Sequence, residues 1–431
     1  MTLNRVAPEI LLEISNHVDH GDLRKLCAVS HRLMSTFEHQ VYSTIDLNET
    51  SHSGSALLAL ASGPRRDIVR EIRYRPHHPW PARDRRHKPE IKLSEETRTA
   101  LQSLNSFPSL DKFQFDLSDW ELSEWALSPQ CLNRWEFHLW HGKHDTEPWR
   151  VLIEESLLAL SKSAGSFSQL EIDSLPPTGR ETYRACESET WKDLLRSLTS
   201  FEVILAGVGH MGHGGSYIYG KMTSAHQAFI TLFPEMFLKN LHNVQVLRLT
   251  GKANAVMGNE QLIEPINWAF PSINLPCLTK LELEYSQVSS QLVVFLSKHA
   301  GTLEKISLRH CIAPAKQIWI NIINLFLNTQ PKQLLEFTTT VLPVHKRIGD
   351  PFSDHSDGSD VKMRRFVVGL AKHDIAPVEE WDAVGDSDPE LDESDVCKLW
   401  DQLEEMLERN RCHARCLLQE ASRSTVVNKQ S

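Results

Sequence analysis

The chain has 431 residues, 41% hydrophobic and 24% charged, with 46 Lys/Arg against 56 Asp/Glu and a formal net charge of −10. That length suits two or three domains or one elongated repeat domain, and the composition is ordinary for a soluble protein. The acidic balance argues against nucleic acid as a partner, and no apolar run approaches the roughly 18 residues of a membrane span. The amino-terminal stretch lacks the basic-then-apolar plan of a secretory signal. Eight Cys without framework spacing suit reduced thiols in cytoplasm or nucleus.

From Val6 to Phe37 the pattern predicts three short helices with sharp stops between them. Pro8 stands where a helix can start, because its missing N–H would be unpaired there anyway. Glu9 and Glu13 suit the positive end of the helix dipole. Ile10, Leu11, Ile14 and Val18 recur at helical spacing, and Asp19-His20-Gly21-Asp22 is a turn whose Asp residues can cap the next helix. Leu23, Leu26 and Cys27 form a second stripe; Leu33, Met34 and Phe37 form a third after Ser30. A unit this short is below the roughly 40 residues that usually fold alone, so its apolar faces must meet the rest of the chain or a partner.

Pro8-Glu9-Ile10-Leu11, Ile14, Val18, Asp22-Leu23, Leu26, Val29-Ser30 and Arg32-Leu33 resemble the F-box motif. F-box proteins are substrate receptors of cullin–RING ubiquitin ligases. The resemblance covers about one-tenth of the chain, and it departs from the motif at Ala7, where a Leu is usual, and at Tyr42, where a Trp is common. It implies that Pro8, Ile10, Leu11, Ile14, Leu23, Leu26 and Val29 lie as helices in the groove of the small Skp adaptor.

Beyond this unit an apolar-x-x-apolar-x-apolar pattern recurs. Leu278/Leu281/Leu283 and Leu303/Ile306/Leu308 fit the leucine-rich-repeat template and start 25 residues apart. Cys311 stands at the template's Asn/Cys position, and Gln291 to His299 supplies an amphipathic helix between the two copies. Weaker copies are Tyr42/Ile45/Leu47, Val69/Ile72/Tyr74, Leu110/Phe113/Phe115, Leu132/Trp135/Phe137, Phe167/Leu170/Ile172, Leu198/Phe201/Val203, Val244/Leu247/Leu249 and Lys332/Leu335/Phe337. Helical stretches fall between most of them: Glu95 to Leu104, Trp149 to Ser163, Thr190 to Leu198, Ala225 to Asn240 and Ile318 to Asn328. Short strands alternating with helices predict a parallel sheet curved into a solenoid. The combination resembles the F-box/leucine-rich-repeat receptors in the divergent form common in fungal proteomes.

Three kinds of segment break the pattern. Arg65 to Lys92 carries ten Lys/Arg against four acids, a net of +6, and Pro76 to Pro89 within it reads as an exposed loop. Ala206 to Gly220 is a Gly- and His-rich loop, and Ile348 to Asp360 and Pro377 to Asp395 are acidic and poor in apolar residues. Val361 to Ala371 reads as a short ordered return between them. A last helix is expected from Ser394 to about Arg423, with Val396, Leu399, Trp400, Leu403, Met406, Leu407, Ala414, Leu417 and Leu418 on one face, as a cap on the open end of the repeats. The expected organisation is therefore α/β: a three-helix F-box over 1–40, an irregular leucine-rich-repeat-like solenoid over 41–347, an acidic linker over 348–393 and a capping helix over 394–423.

Signals for chemistry are weak. Gly207-Val208-Gly209-His210-Met211-Gly212 has dinucleotide-site spacing, yet Gly212 leads into His213-Gly214-Gly215-Ser216, which holds a helix poorly. Cys412-His413-x-x-Cys416 lacks the second ligand pair of a zinc site, and there is no G-x-S-x-G and no H-E-x-x-H. No intrinsic catalysis, metal or cofactor is expected. Trp120, Trp125, Trp135, Trp140 and Trp149 cluster within thirty residues. Trp120 and Trp140 lie past their expected strands on the solenoid rim, and with Arg83, Arg85 and Arg86 of the basic loop they are candidate target-binding residues. The resulting expectation is the substrate-recognition subunit of a Skp–cullin–F-box ligase, holding the Skp adaptor, through it cullin, and an unnamed protein target. The alternative is a repeat scaffold without a ligase role.

Overall fold

The computed structural model describes residues 6–15, 17–77, 92–118, 148–176, 180–206, 224–251, 270, 273–313, 316–340, 367–368 and 393–427. By its contacts the chain divides into one unit of residues 1–120, 143–173 and 181–198, and a second of residues 121–142, 174–180 and 199–431. Among the described residues it is a mixed α/β protein with eleven α-helices and nine strands of a parallel sheet that follow chain order. Parallel neighbours need a crossover between them, which is why short strands and helices alternate along the sequence.

The first unit opens with α1 (Pro8–Ser15), α2 (His20–Val29) and α3 (His31–Ser43), which runs without a linker into β1 (Thr44–Leu47). Next come α4 (Ser51–Ala61), β2 (Glu71–Tyr74), α5 (Glu95–Gln102), β3 (Lys112–Asp116), α6 (Pro148–Ser161), β4 (Gln169–Leu175) and α7 (Glu189–Ser197). In register, Ile45, Ile72, Phe113 and Leu170 form one row and Leu47, Tyr74, Phe115 and Ile172 the next. All but the half-buried Ile45 are buried. The alternate residues are polar and mostly charged: Lys112 Nζ lies 2.5 Å from Glu171, and Arg73 Nε lies 3.0 Å from Glu71. A parallel sheet normally hides both faces; here one face is apolar and the other ionic, as the period-two pattern requires.

α4 is not expected from the sequence, because Ser-His-Ser-Gly-Ser resembles a loop. Thr50 caps it, accepting from the Ser53 amide at 3.3 Å. Gly54 lets it approach α5: a Cβ there would stand 2.3 Å from the Thr97 amide nitrogen. That neighbour is backbone and cannot swing away. Gly54→Ala should therefore lower stability by about 1–3 kcal/mol in urea unfolding, and Gly54→Val by more. An unchanged midpoint would mean that the two helices separate freely.

The second unit contains β5 (Ser200–Leu205), α8 (Ser224–Phe233), β6 (Val246–Thr250), β7 (Lys280–Glu284), α9 (Ser290–His299), β8 (Lys305–Arg309), β9 (Ile312–Ala313), α10 (Lys316–Thr329), β10 (Glu336–Thr340), β11 (Val367–Val368) and α11 (Glu393–Val427). Phe201, Leu247, Leu281, Ile306 and Phe337 stack in register, and Glu202, Arg248 and Glu282 alternate in sign beside them. β9 and β11 pair antiparallel. Burial would raise the Glu282 carboxyl, but Lys280, Arg248 and Arg309 outweigh it and hold the group below its ordinary value.

The turns after the strands repeat as well. Tyr285 and His310 come after β7 and β8 in equivalent places, each left-handed (φ 49° and 53°), with their rings stacked at 5.0 Å. Cys311 is buried and its Sγ lies 3.4 Å from the Leu283 carbonyl oxygen, while burial pushes the thiol up to about 12. Buried His299 ties α9 to the chain ahead of β7: its Nε2 accepts from the Leu275 amide at 3.0 Å, and Nδ1 donates to the Phe295 carbonyl at 2.8 Å. That arrangement needs the neutral ring, and burial lowers its pKa below 6.5 despite the Phe295 bond. The unfolded chain thus takes up this proton first on acidification. His299 stabilises the fold above pH 6.5 and loses that contribution as pH falls through its folded value. Replacing it by Gln should flatten the slope of stability against pH just below neutrality; an identical slope would reject the assignment.

Three boundaries differ from expectation. The helix expected over 225–240 ends at Phe233, because Pro234 interrupts the bonding and a single wider turn (Pro234–Leu238) comes next. The last repeat is not Lys332/Leu335/Phe337. Leu334 precedes the strand and Phe337 and Thr339 face Ile306 and Leu308, so the pattern is shifted by two residues and Thr339 holds the place of an aliphatic. The final helix spans Glu393–Val427. The expected copy Leu132/Trp135/Phe137 and nearly all of the expected linker 348–393 lie outside the described residues.

Candidate functional site: the amino-terminal helices

α1 begins on the Ala7 carbonyl, which accepts from the Ile10 and Leu11 amides at 3.1 Å. Asp19 caps α2 by accepting from the Asp22 amide at 3.0 Å, and Ser30 caps α3 by accepting from the Leu33 amide at 3.5 Å. Such caps contribute about 1 kcal/mol each and stop each helix where the next must turn. Arg32 reaches back to donate to the Val6 carbonyl at 2.6 Å, which fastens the entry of the chain against α3.

Inside, Leu11, Leu23, Cys27, Leu33, Phe37 and Val41 form one core, with Val6, Val18, Leu26, Met34 and Tyr42 packed at its margin. Burial raises the Cys27 thiol. Outside, Ile10 is 56% exposed, Leu12 40%, Ile14 43% and Val29 77%. Those four are half of the eight large exposed hydrophobic residues among the described ones, although they lie within the first 29 residues. Single exposed apolar residues are ordinary; their concentration on one small unit is not.

The seven residues expected to meet the adaptor therefore separate. Pro8, Ile10, Ile14 and Val29 are on the surface, and Leu26 is half-buried. Leu11 and Leu23 are corrected: they are 1% and 3% exposed and hold the helices to one another, so they present nothing outward. The exposed Leu12 is absent from the expected set. In the run Ile10-Leu11-Leu12 each residue advances about 100° around the helix, so one inward residue leaves its neighbours on opposite flanks. The helices are also fastened to the first two strand–helix units. Arg24 lies 3.3 Å from Asp46, and Arg65 lies 2.7 Å from Glu38 with its guanidinium 4.8 Å from the centre of the Tyr42 ring.

Trp120, Trp140, Arg83, Arg85 and Arg86, and the glycine run Gly207–Gly212, lie outside the described residues. Cys412 and Cys416 are exposed free thiols. Among the described residues no group of three or more His, Cys, Asp or Glu is placed to hold a metal ion, and no helix is long and apolar enough to cross a membrane. No protein-family model matches the chain, and no curated protein matches it.

Proposed function

We propose that this chain is the substrate-recognition subunit of a Skp–cullin–F-box ubiquitin ligase. Its amino-terminal helices dock on the Skp adaptor, which links to cullin, and its leucine-rich-repeat-like solenoid holds a protein target. The observation that carries the proposal is the division of α1: Leu11 closes a core internal to the three helices, while Ile10 and Ile14, one turn apart on the same flank, are left at the surface together with Val29. A helix face laid into a partner's groove needs such residues. The solenoid is supported by the strand-by-strand stacking, by the ionic second face, and by Cys311 bonding the Leu283 carbonyl of the preceding strand. The receptor adds no reacting group; it raises the local concentration of the target near the ubiquitin carrier.

A second reading has its own support. α3 continues into β1 without a linker and is braced by the Arg65–Glu38 pair, as in a cap on a repeat scaffold with no ligase role. Co-purification of the full chain with Skp adaptor separates the two. The wild type should retain the adaptor, and Ile10→Asp with Ile14→Asp should weaken it about 30-fold or more, the effect of losing a central apolar anchor. Equal retention by the double variant, or none by the wild type, would favour the scaffold.

A further inference from the structure

Among the described residues β10 is the last strand of the parallel sheet and pairs on one side only, with β8. An open edge normally invites another strand, and proteins blunt it or cover it. Here α11 covers the core behind the edge. Trp400, Leu403, Met406 and Leu407 are buried, Trp400 meets Phe337 edge-on at 5.9 Å, and Asn410 Nδ2 donates to the Pro331 and Leu334 carbonyls at 2.8 Å. The cover is incomplete. A groove of about 440 Å³ runs between β10 and α11.

The groove is lined by apolar Leu335, Phe337 and Leu407 with Thr338, and by Glu336, Glu404, Glu405 and Glu408 against one lining cation, Arg411. Arg411 and Arg415 lie 3.3 and 4.0 Å from Glu408, and Lys305, on the neighbouring strand, lies 3.1 Å from Glu336, so the four carboxylates outnumber these three cations. Glu405 makes no ion pair among the described residues and is exposed. Four carboxylates in one channel raise the local concentration of cations, and the channel runs beside a strand edge.

We infer that this groove docks an extended basic segment of a partner protein. The segment adds to β10 as a further strand, its backbone pairs with the open edge, and alternate Lys or Arg side chains face the α11 glutamates. Strand addition takes affinity from backbone bonds and selectivity from every second side chain. Nucleic acid and anionic lipid are disfavoured by the same carboxylates. The site is built from second-unit residues, shares none with the amino-terminal helices, and stands whether or not the adaptor proposal does.

The test uses the full-length chain and a fluorescent peptide of about six residues, alternating Lys or Arg with Val. Controls are the same peptide with Glu at the basic positions and one with alternate backbone amides methylated. Binding by anisotropy should weaken about tenfold between about 50 and 500 mM salt, and about tenfold or more with either control peptide. Glu405→Lys with Glu408→Lys should cost about tenfold or more while leaving adaptor capture unchanged and lowering stability by no more than about 1 kcal/mol, since both side chains are exposed and only the surface pairs of Glu408 are lost. Absence of binding by the wild-type chain, equal binding by the reversed variant, or equal binding of the methylated peptide overturns the inference.

Discussion

Replacing Leu11 by Asp should dissolve the amino-terminal helical unit, while Asp at Ile10 or Ile14 should leave it folded. The three positions lie within one short helix, so propensity and charge are nearly matched. Only burial differs: Leu11 is 1% exposed, Ile10 56% and Ile14 43%. Truncation of a fully buried Leu costs about 3–5 kcal/mol when the site cannot collapse, and an unpaired carboxylate in the same place costs more. A unit of this size has few other apolar contacts to absorb that loss. The flanking substitutions should fall within about 0.5 kcal/mol. Amide exchange over residues 8–43 reads the difference directly. Leu11→Asp should expose α1 and α3 together, because Leu11 packs against Leu33 and Phe37 in one cluster. Protection that survives Leu11→Asp would show that α2 and α3 hold without α1.

The second large effect is expected at the other end of the chain. Leu403→Ala should cost about 3 kcal/mol and release α11 from the sheet, since Leu403 is 1% exposed between Trp400 and Leu407. Asn410→Ala should cost about 1–2 kcal/mol, because it takes the side-chain donor from the Leu334 carbonyl and leaves the Pro331 carbonyl only the Leu334 amide at 3.3 Å. Released, the helix uncovers Phe337 and the edge of β10, so the variant should aggregate through its strand edge. Limited proteolysis near residue 400 and light scattering measure both consequences. Wild-type resistance together with wild-type scattering would reject the capping role. Beyond Asn410 the same helix leaves Leu417 and Leu418 exposed, so the cap uses only part of it.

Much of this architecture is legible in the residues. Leu281, Leu283, Ile306 and Leu308 alternate with Glu282, Glu284, Ser307 and Arg309, and period two with one charged face leaves a single arrangement of the strand. Eight of the ten expected copies fall on strands. Copies fail to be read where a side chain of another type fills the slot: Thr339 in place of an aliphatic shifts the last one by two residues. α4 is unreadable because its key residue, Gly54, signals a loop in sequence and a close helix contact in space.

Helical periodicity determined that the amino-terminal stretch forms three amphipathic helices, and alternation determined the strands and their two unlike faces. The sequence could not say which apolar residues of α1 look inward. Ile10, Leu11, Leu12 and Ile14 are chemically near-equivalent, and a short helix can be rotated to bury any of them. Only the packing of α1 against α3 decided that Leu11 closes the core and its neighbours meet water. The groove beside β10 is likewise invisible in the chain, because Glu336 and Glu404 are far apart in sequence and meet only where the sheet ends and the last helix crosses it.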